Sequence, residues 1–265
     1  MDLAASMTDY RDVTEIANDQ VTAEQVERLR RRYLWARPYC AGRDVHELAC
    51  GTAQGSGVLA EVAATFTASD QSEPMLEQAR CHYGIRFPLR KLDAQALPLP
   101  DRSLDVLVLF EALYYLPEAN AFFARAWRVL RPGGVLLLAT ANKDLYDFNP
   151  SPHSHEYLGV RELTERLGHV GFRVQCFGDT PVAEISGLQK VLRPVKNVAS
   201  RLGLIPKSMA AKKLLKRIVF GKLVPMPAEL SVAGDPPATP APLAASQADR
   251  GHKVILCAAT RPASS

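Results

Sequence analysis

The sequence predicts an α/β protein built on a doubly wound sheet, and three observations carry that expectation. Short apolar runs alternate with helix-patterned segments from residue 44 to residue 178. Two of these runs, Val106–Leu109 and Val135–Leu138, are apolar throughout, as strands covered on both faces are. The first run, Asp44-Val45-His46-Glu47-Leu48, leads directly into small residues, Ala49-Cys50-Gly51-Thr52-Ala53-Gln54-Gly55, and then into helix-forming Val58–Ala64. Strand, small-residue loop and helix form the first βα turn of such a sheet, where backbone amides and a helix N-terminus face an open crevice.

The spacing in that loop selects among ligands. A dinucleotide fingerprint needs G-x-G-x-x-G, and the frame starting at Ala49 lacks the third glycine. A P-loop ends in Gly-Lys-Ser/Thr, and Gly55-Ser56-Gly57 has no lysine. What stands here is Glu47-x-Ala49-x-Gly51-x-Ala53-x-Gly55, an acid followed by alternating small residues. Taken alone it is also compatible with a tight turn in any α/β protein. It resembles the first motif of class I S-adenosylmethionine (SAM) methyltransferases, acid-x-Gly-x-Gly-x-Gly, with alanine at two of the glycine positions. The resemblance implies SAM as cofactor. It also implies a Rossmann-like sheet of seven strands, the last antiparallel and forming a hairpin with the sixth.

The remaining elements follow in order. Thr22-Ala23-Glu24-Gln25 is a capping-box pattern that opens a helix, expected to run to about Trp35 and to be stopped by Pro38. Residues 1–39 read as a polar segment plus this helical cap, and helices of this kind often cover the cofactor cleft in the family it resembles. Residues 40–178 read as the core. Strands are expected at Thr65–Ser69, Pro88–Leu92, Leu104–Phe110, Gly134–Thr140 and Phe172–Phe177, and helices at Pro74–His82, Ala119–Leu130 and Val160–Val170. Pro132-Gly133-Gly134 is expected to reverse the chain tightly before the fifth strand. After Gly178 the alternation stops. Residues 179–250 read as an insertion of two basic amphipathic segments and a flexible Pro/Ala-rich stretch, Ala233–Ala248, lying between strands six and seven. His252–Thr260 reads as the last strand, within a final segment of residues 251–265.

The resemblance also implies roles for individual residues. Glu47, Ala49, Gly51 and Gly55 of the first motif would hold SAM. In Ala68-Ser69-Asp70-Gln71, the Asp70 carboxylate can accept hydrogen bonds from both ribose hydroxyls, with Gln71 beside it; a helix N-cap is the alternative for Asp70. In Leu92-Asp93-Ala94, Asp93 would meet the adenine amino group and the Ala94 amide a ring nitrogen, although Asp93 also suits a turn. Phe110 ends the fourth strand beside the cofactor, and Glu111, Tyr114 and Tyr115 follow on the floor between cofactor and acceptor.

Transfer to a hydroxyl is helped by a base within hydrogen-bond reach of its proton. The loop after the fifth strand, Asn149–Tyr157, offers two histidines, a glutamate and a tyrosine. His153 is the candidate base or acceptor contact, with His155 and Tyr157 behind it. Surface histidines beside a helix N-cap, or a His-x-His metal site, are the other readings. This loop and the later basic segments resemble, more weakly, bacterial methyltransferases of surface-polysaccharide assembly, which implies a glycan or other small-molecule hydroxyl as acceptor. Methylation of carbon or nitrogen in a quinone-like or small amine acceptor is an alternative, and a SAM-binding scaffold without turnover is another.

Composition bounds the rest. The chain has 265 residues, 47% of them apolar and 23% charged, with a net charge of +4. Ten Lys and Arg and no acid lie between Ile185 and Ala228, so the basic character is local. Residues 186–224 therefore read as helices docked on the domain with lysines in water, or as a contact with an anionic membrane surface. Nucleic acid is disfavoured, since only Phe220 interleaves with the cations to stack on bases. The five scattered cysteines lack a C-x-x-C pair, and neither a leader peptide nor an apolar membrane span is evident. A cytoplasmic protein is expected, at most peripheral to the inner membrane face.

Overall fold

The structure, a computed structural model, describes residues 16–151, 153–182 and 223–263. Its strands are β1 (Gln20–Thr22), β2 (Asp44–Leu48), β3 (Thr65–Asp70), β4 (Leu89–Lys91), β5 (Leu104–Phe110), β6 (Leu130–Ala141), β7 (Arg173–Pro181), β8 (Leu223–Pro225), β9 (Ala241–Leu243) and β10 (His252–Thr260). Its α-helices are α1 (Ala23–Cys40), α2 (Ser56–Ala60), α3 (Glu73–Tyr83), α4 (Ala119–Val129) and α5 (Val160–Val170). The main sheet has the order β4-β3-β2-β5-β6-β10-β7-β9. From β4 to β6 all pairings are parallel, and β10 lies antiparallel between β6 and β7. The chain winds outward from β2 to β4, then returns to the other side of β2 with β5. That reversal leaves a crevice at the carboxyl ends of β2 and β5.

Every central strand feeds two cores, because successive side chains leave a pleated strand on opposite faces. On β5, Val106, Val108 and Phe110 enter the cluster under α1, α2 and α3, while Leu107 and Leu109 enter the cluster under α4 and α5. The last strand divides in the same way, with Val254, Leu256 and Ala258 on the first face and Ile255, Cys257 and Ala259 on the second. This is why these runs carry no polar alternation.

Several expectations are corrected. α1 passes through Pro38 and ends at Cys40. Its last turn is held by packing, since Cys40 and Ala36 are fully buried, and tertiary contact overrides the local signal. The capping box does open it: the Gln25 amide donates to Thr22 Oγ1 at 3.1 Å and the Thr22 amide to Gln25 Oε1 at 2.9 Å. Pro132-Gly133-Gly134 does not reverse the chain. It lies inside β6 as an irregular bulge, because Leu104 and Val106 pair with Leu130 and Val135. Within the stretch expected to be a flexible loop, Ala241–Leu243 forms β9 against Cys176–Gly178 of β7. Pro242 is tolerated there because β9 is an edge strand. The main sheet therefore has eight strands rather than seven. A separate two-stranded ribbon, β1 with β8, was not expected either. The basic amphipathic segments expected within 186–222, and residues 1–15, lie outside the described residues.

Candidate cofactor and acceptor site

The loop after β2 is shaped by alternating left-handed residues: Ala49, Gly51 and Ala53 have φ of 52°, 59° and 63°. That conformation is the reason for small residues in the motif, and the two alanines occupy it at some strain. Glu47 points away from the crevice. It is 1% exposed, its Oε1 accepts from Tyr33 Oη at 2.5 Å and its Oε2 from Ser56 Oγ at 2.6 Å. Burial pushes its carboxyl up to about 7, against the pull of those two donors. It ties α1 and α2 to the loop. Gly55 serves the same junction, since a Cβ there would lie 2.1 Å from the Tyr33 ring.

Asp70 ends β3. Its Oδ2 accepts from the Gly51 amide at 2.8 Å and its Oδ1 from the Ser72 amide at 2.8 Å, so it fixes the glycine loop from the end of the adjacent strand. Burial raises its pKa and the amides oppose the rise. The N-cap of α3 is Ser72. Each Asp70 oxygen keeps a further lone pair for a ligand hydroxyl. Asp93 stands in the turn after β4, its Oδ1 accepting from the Gln95 amide at 2.8 Å.

These groups border a cavity of about 610 Å³ at the carboxyl ends of the parallel strands, a size that suits a nucleoside-sized cofactor together with a small acceptor. Of the expected residues, Ala49, Gly51, Asp70, Gln71, Asp93, Ala94, Phe110, Glu111 and Tyr114 line it, and Glu47, Gly55 and His153 do not. His153, at a φ of 65°, and His155 are both exposed, but only His155 borders the cavity. The His155 amide donates to the Tyr114 carbonyl at 2.7 Å, which holds the loop over the aromatic floor. Tyr157 stacks on Tyr114 at 4.3 Å between ring centroids, and Tyr115 Oη and Ser151 Oγ lie 2.7 Å apart.

The helix expected to cover the cleft does so, but none of its lining residues was named from sequence: Arg28, Leu29, Arg32 and Tyr33 of α1 enter the wall. Their i, i+1, i+4, i+5 spacing places them on one helical face, and that was the available signal. Arg32 reaches across to Glu111, with Nη2 to Oε1 at 3.1 Å, and Tyr114 Oη donates to Glu111 Oε2 at 3.1 Å. Glu111 holds this position with a φ of 50°. Burial pushes the Tyr114 phenol far up, so it stays a neutral donor. Among the described residues, no group of three or more His, Cys, Asp or Glu side chains could hold a metal ion.

Comparison with known proteins bears on the family and the fold. Residues 46–138 match a family described as methyltransferase domain. The chain is 38% identical over 140 residues to a probable SAM-dependent methyltransferase of Mycolicibacterium smegmatis, covering 51% of this chain and 54% of that one. It is 25% identical over 190 residues to malonyl-[acyl-carrier protein] O-methyltransferase of Hahella chejuensis, covering 67% and 68% respectively. Among solved structures, the [4+2]-cyclase SpnF is similar with a TM-score of 0.58 at 17% identity, over 92% of this chain and 84% of that one. That likeness concerns the fold alone. The chain spans about half the length of the Mycolicibacterium smegmatis relative. The family match and the Mycolicibacterium smegmatis relative point to a class whose fold this is: the class I, SAM-dependent methyltransferases. Residues 46–138 of this chain are a methyltransferase domain of that class.

Proposed function

We propose that the protein transfers the methyl group of SAM to a hydroxyl of a small acceptor. The observation that carries the reading is the Asp70 carboxylate at the cavity wall, held by the Gly51 and Ser72 amides with lone pairs to spare. In this reading Asp70 takes the ribose hydroxyls, Asp93 and Ala94 meet the adenine edge, and Gly51 and Ala49 let the backbone approach the ligand. When bound, SAM supplies a methyl group on a sulfonium leaving group. The protein's part is to orient the acceptor, exclude water and take its proton. Tyr114 and Arg32 hold the Glu111 carboxylate at the cavity wall, part of which α1 supplies. His155, which borders the cavity, is the group to receive the acceptor proton; His153 lies outside the lining and is not assigned that role.

The named O-methyltransferase relative supports an oxygen acceptor. A glycan-linked hydroxyl, and a contact of residues 186–224 with an anionic membrane surface, belong to the same proposal and rest on sequence pattern alone. No helix among the described residues is long and apolar enough to cross a membrane. The test is incubation of purified protein with methyl-labelled SAM and bacterial extract, fractionated into organic-solvent, polysaccharide, RNA and small-molecule pools, with Asp70→Ala as control. Label in the organic or polysaccharide pool that vanishes with the variant supports the proposal. Label confined to RNA contradicts it.

A further inference from the structure

The loop after β2 needs holding. Ala49, Gly51 and Ala53 stand in the left-handed region, and a non-glycine residue persists there only where its surroundings fix it. Asp70 takes the Gly51 amide from the end of β3, and Glu47 ties Tyr33 and Ser56 beneath the loop. Two further bonds grip it from residues outside the cavity lining. Tyr83 of α3 donates through Oη to the Ala53 carbonyl at 2.8 Å, and the Leu230 amide donates to the Gln54 carbonyl at 2.7 Å. Gln54 itself lines the cavity.

Leu230 belongs to an irregular stretch, residues 226–235, which follows β8 and lies outside the matched residues 46–138. The stretch is fastened along its length. At its start the Met226 amide donates to the Asp19 carbonyl and the Asn18 amide to the Met226 carbonyl, both at 2.8 Å, and the Met226 side chain is fully buried. Next, Glu229 Oε2 lies 3.0 Å from His82 Nε2 of α3, and Glu229 Oε1 accepts from Arg86 Nη1 at 2.7 Å. The same carboxylate lies against α2, since a Cβ on Gly57 would sit 1.9 Å from Glu229 Oε1. Leu230 is buried in the cluster that contains Tyr33, Val58 and Tyr83. Beyond it, Arg30 of α1 donates to the Ser231 carbonyl at 3.1 Å and to the Ala233 and Asp235 carbonyls at 3.2 Å.

We infer that residues 226–235 form a strap that positions the cofactor loop, with Arg30 and Glu229 as the positioning side chains that keep it seated. The inference rests on the SAM-binding reading above and adds a determinant of cofactor affinity far downstream of the loop in sequence. None of the strap's residues lines the cavity. It acts by fixing the Gln54 carbonyl, and with it the left-handed turn that presents Gly51 and Gln54 to the ligand. Such coupling is reciprocal: what the strap adds to cofactor binding, the cofactor adds to the seating of the strap.

Calorimetric titration of S-adenosylhomocysteine into wild type comes first, and failure to bind would overturn the SAM-binding reading and this inference with it. Arg30→Gln releases the three carbonyls and should weaken binding about fivefold. Glu229→Gln, which loosens partly exposed ion pairs, should weaken it about threefold. The double variant should lose about tenfold or more. Arg37→Gln breaks the ion pair of α1 with Glu61 without touching the strap, and should stay within about twofold of wild type. Hydrogen exchange of wild type, with and without saturating S-adenosylhomocysteine, gives the reciprocal readout. Exchange at the Leu230 amide should slow about fivefold or more on binding, and by more than in α5, which packs on the opposite face of the sheet. A segment that served stability alone would not show that difference. Wild-type affinity in the double variant would overturn the inference. An equal loss in Arg37→Gln would overturn it too, because any loosening of α1 would then suffice. So would exchange at Leu230 that the ligand leaves unchanged or slows no more than in α5.

Discussion

His46 and Glu47 are neighbours on β2 with opposite responses to burial. His46 is enclosed with Thr67 Oγ1 and Ser69 Oγ as partners, and desolvation pushes its pKa down to about 4. Glu47, enclosed beside Tyr33 and Ser56, is pushed up to about 7. The stability tied to neutral His46 is complete above its ordinary value of 6.5 and is lost as pH falls toward 4. The stability tied to protonated Glu47 is complete below 4.5 and is lost as pH rises toward 7. Between 4.5 and 6.5 the folded state carries the proton on Glu47 and the unfolded state carries it on His46, so the two slopes cancel. Each contribution is of the order of 3 kcal/mol. Relative to wild type, Glu47→Gln should gain stability as pH rises through this window, and His46→Gln should lose it. Urea denaturation at pH 4.5, 5.5 and 6.5 measures both, and curves parallel to wild type would refute the pairing. At the loop, Ala49→Gly relieves a left-handed alanine, a strain of about 1 kcal/mol offset in part by glycine's greater unfolded freedom. It should be neutral to stabilising by up to about 1 kcal/mol, whereas Ala49→Val should destabilise by more than about 1 kcal/mol. The same denaturation experiment decides between them. Ala53 shares the conformation, but its methyl is fully buried and its removal costs packing.

Among the elements, α1 supplies one wall of the cavity and is tied to the sheet beneath it. Tyr33 bonds Glu47 beneath the loop and meets Phe110 edge-on at 5.4 Å, and Trp35 contacts both Phe110 and Phe177. On the neighbouring face Arg31 donates to Asp179 Oδ1 through Nε at 2.9 Å and Nη2 at 2.6 Å, pinning α1 to β7. Asp179 is 1% exposed, so Arg31→Ala strands a buried carboxylate and should cost about 3–5 kcal/mol. Arg31→Ala with Asp179→Asn should recover much of the loss, and a thermal or urea melt of the pair tests it. This helix was legible in part. Its capping box announced its start, and its apolar stretch Tyr33-Leu34-Trp35 packs against the core beneath it. The extension through Pro38 was not legible, because it depends on the interior that Cys40 fills. Nor was the bridge from Arg32 to Glu111, since residues 79 positions apart meet only through the fold. That His155 and not His153 borders the cavity turns on a two-residue difference in a loop bonded to the Tyr114 carbonyl through the His155 amide. A sequence motif without periodicity cannot specify that.

For the molecule as a whole, the parallel core was the most legible part, because β5, β6 and β10 each serve two hydrophobic faces and announce it by unbroken apolar runs. The antiparallel placement of β10 followed from family resemblance and not from any property of its residues. The edge strand β9 was hidden by Pro242, whose missing donor matters little on a strand with one neighbour. The same architecture gathers Gly51, Asp70, Asp93 and Phe110 from four separate strand ends into one crevice. The most direct measurement of the central claim is therefore the affinity of wild type and Asp70→Ala for S-adenosylhomocysteine by calorimetry. The account predicts one site per chain and a loss of about tenfold or more in the variant, as bidentate hydrogen bonding to a carboxylate is removed. Equal affinity in both proteins, or no binding to wild type, would contradict it.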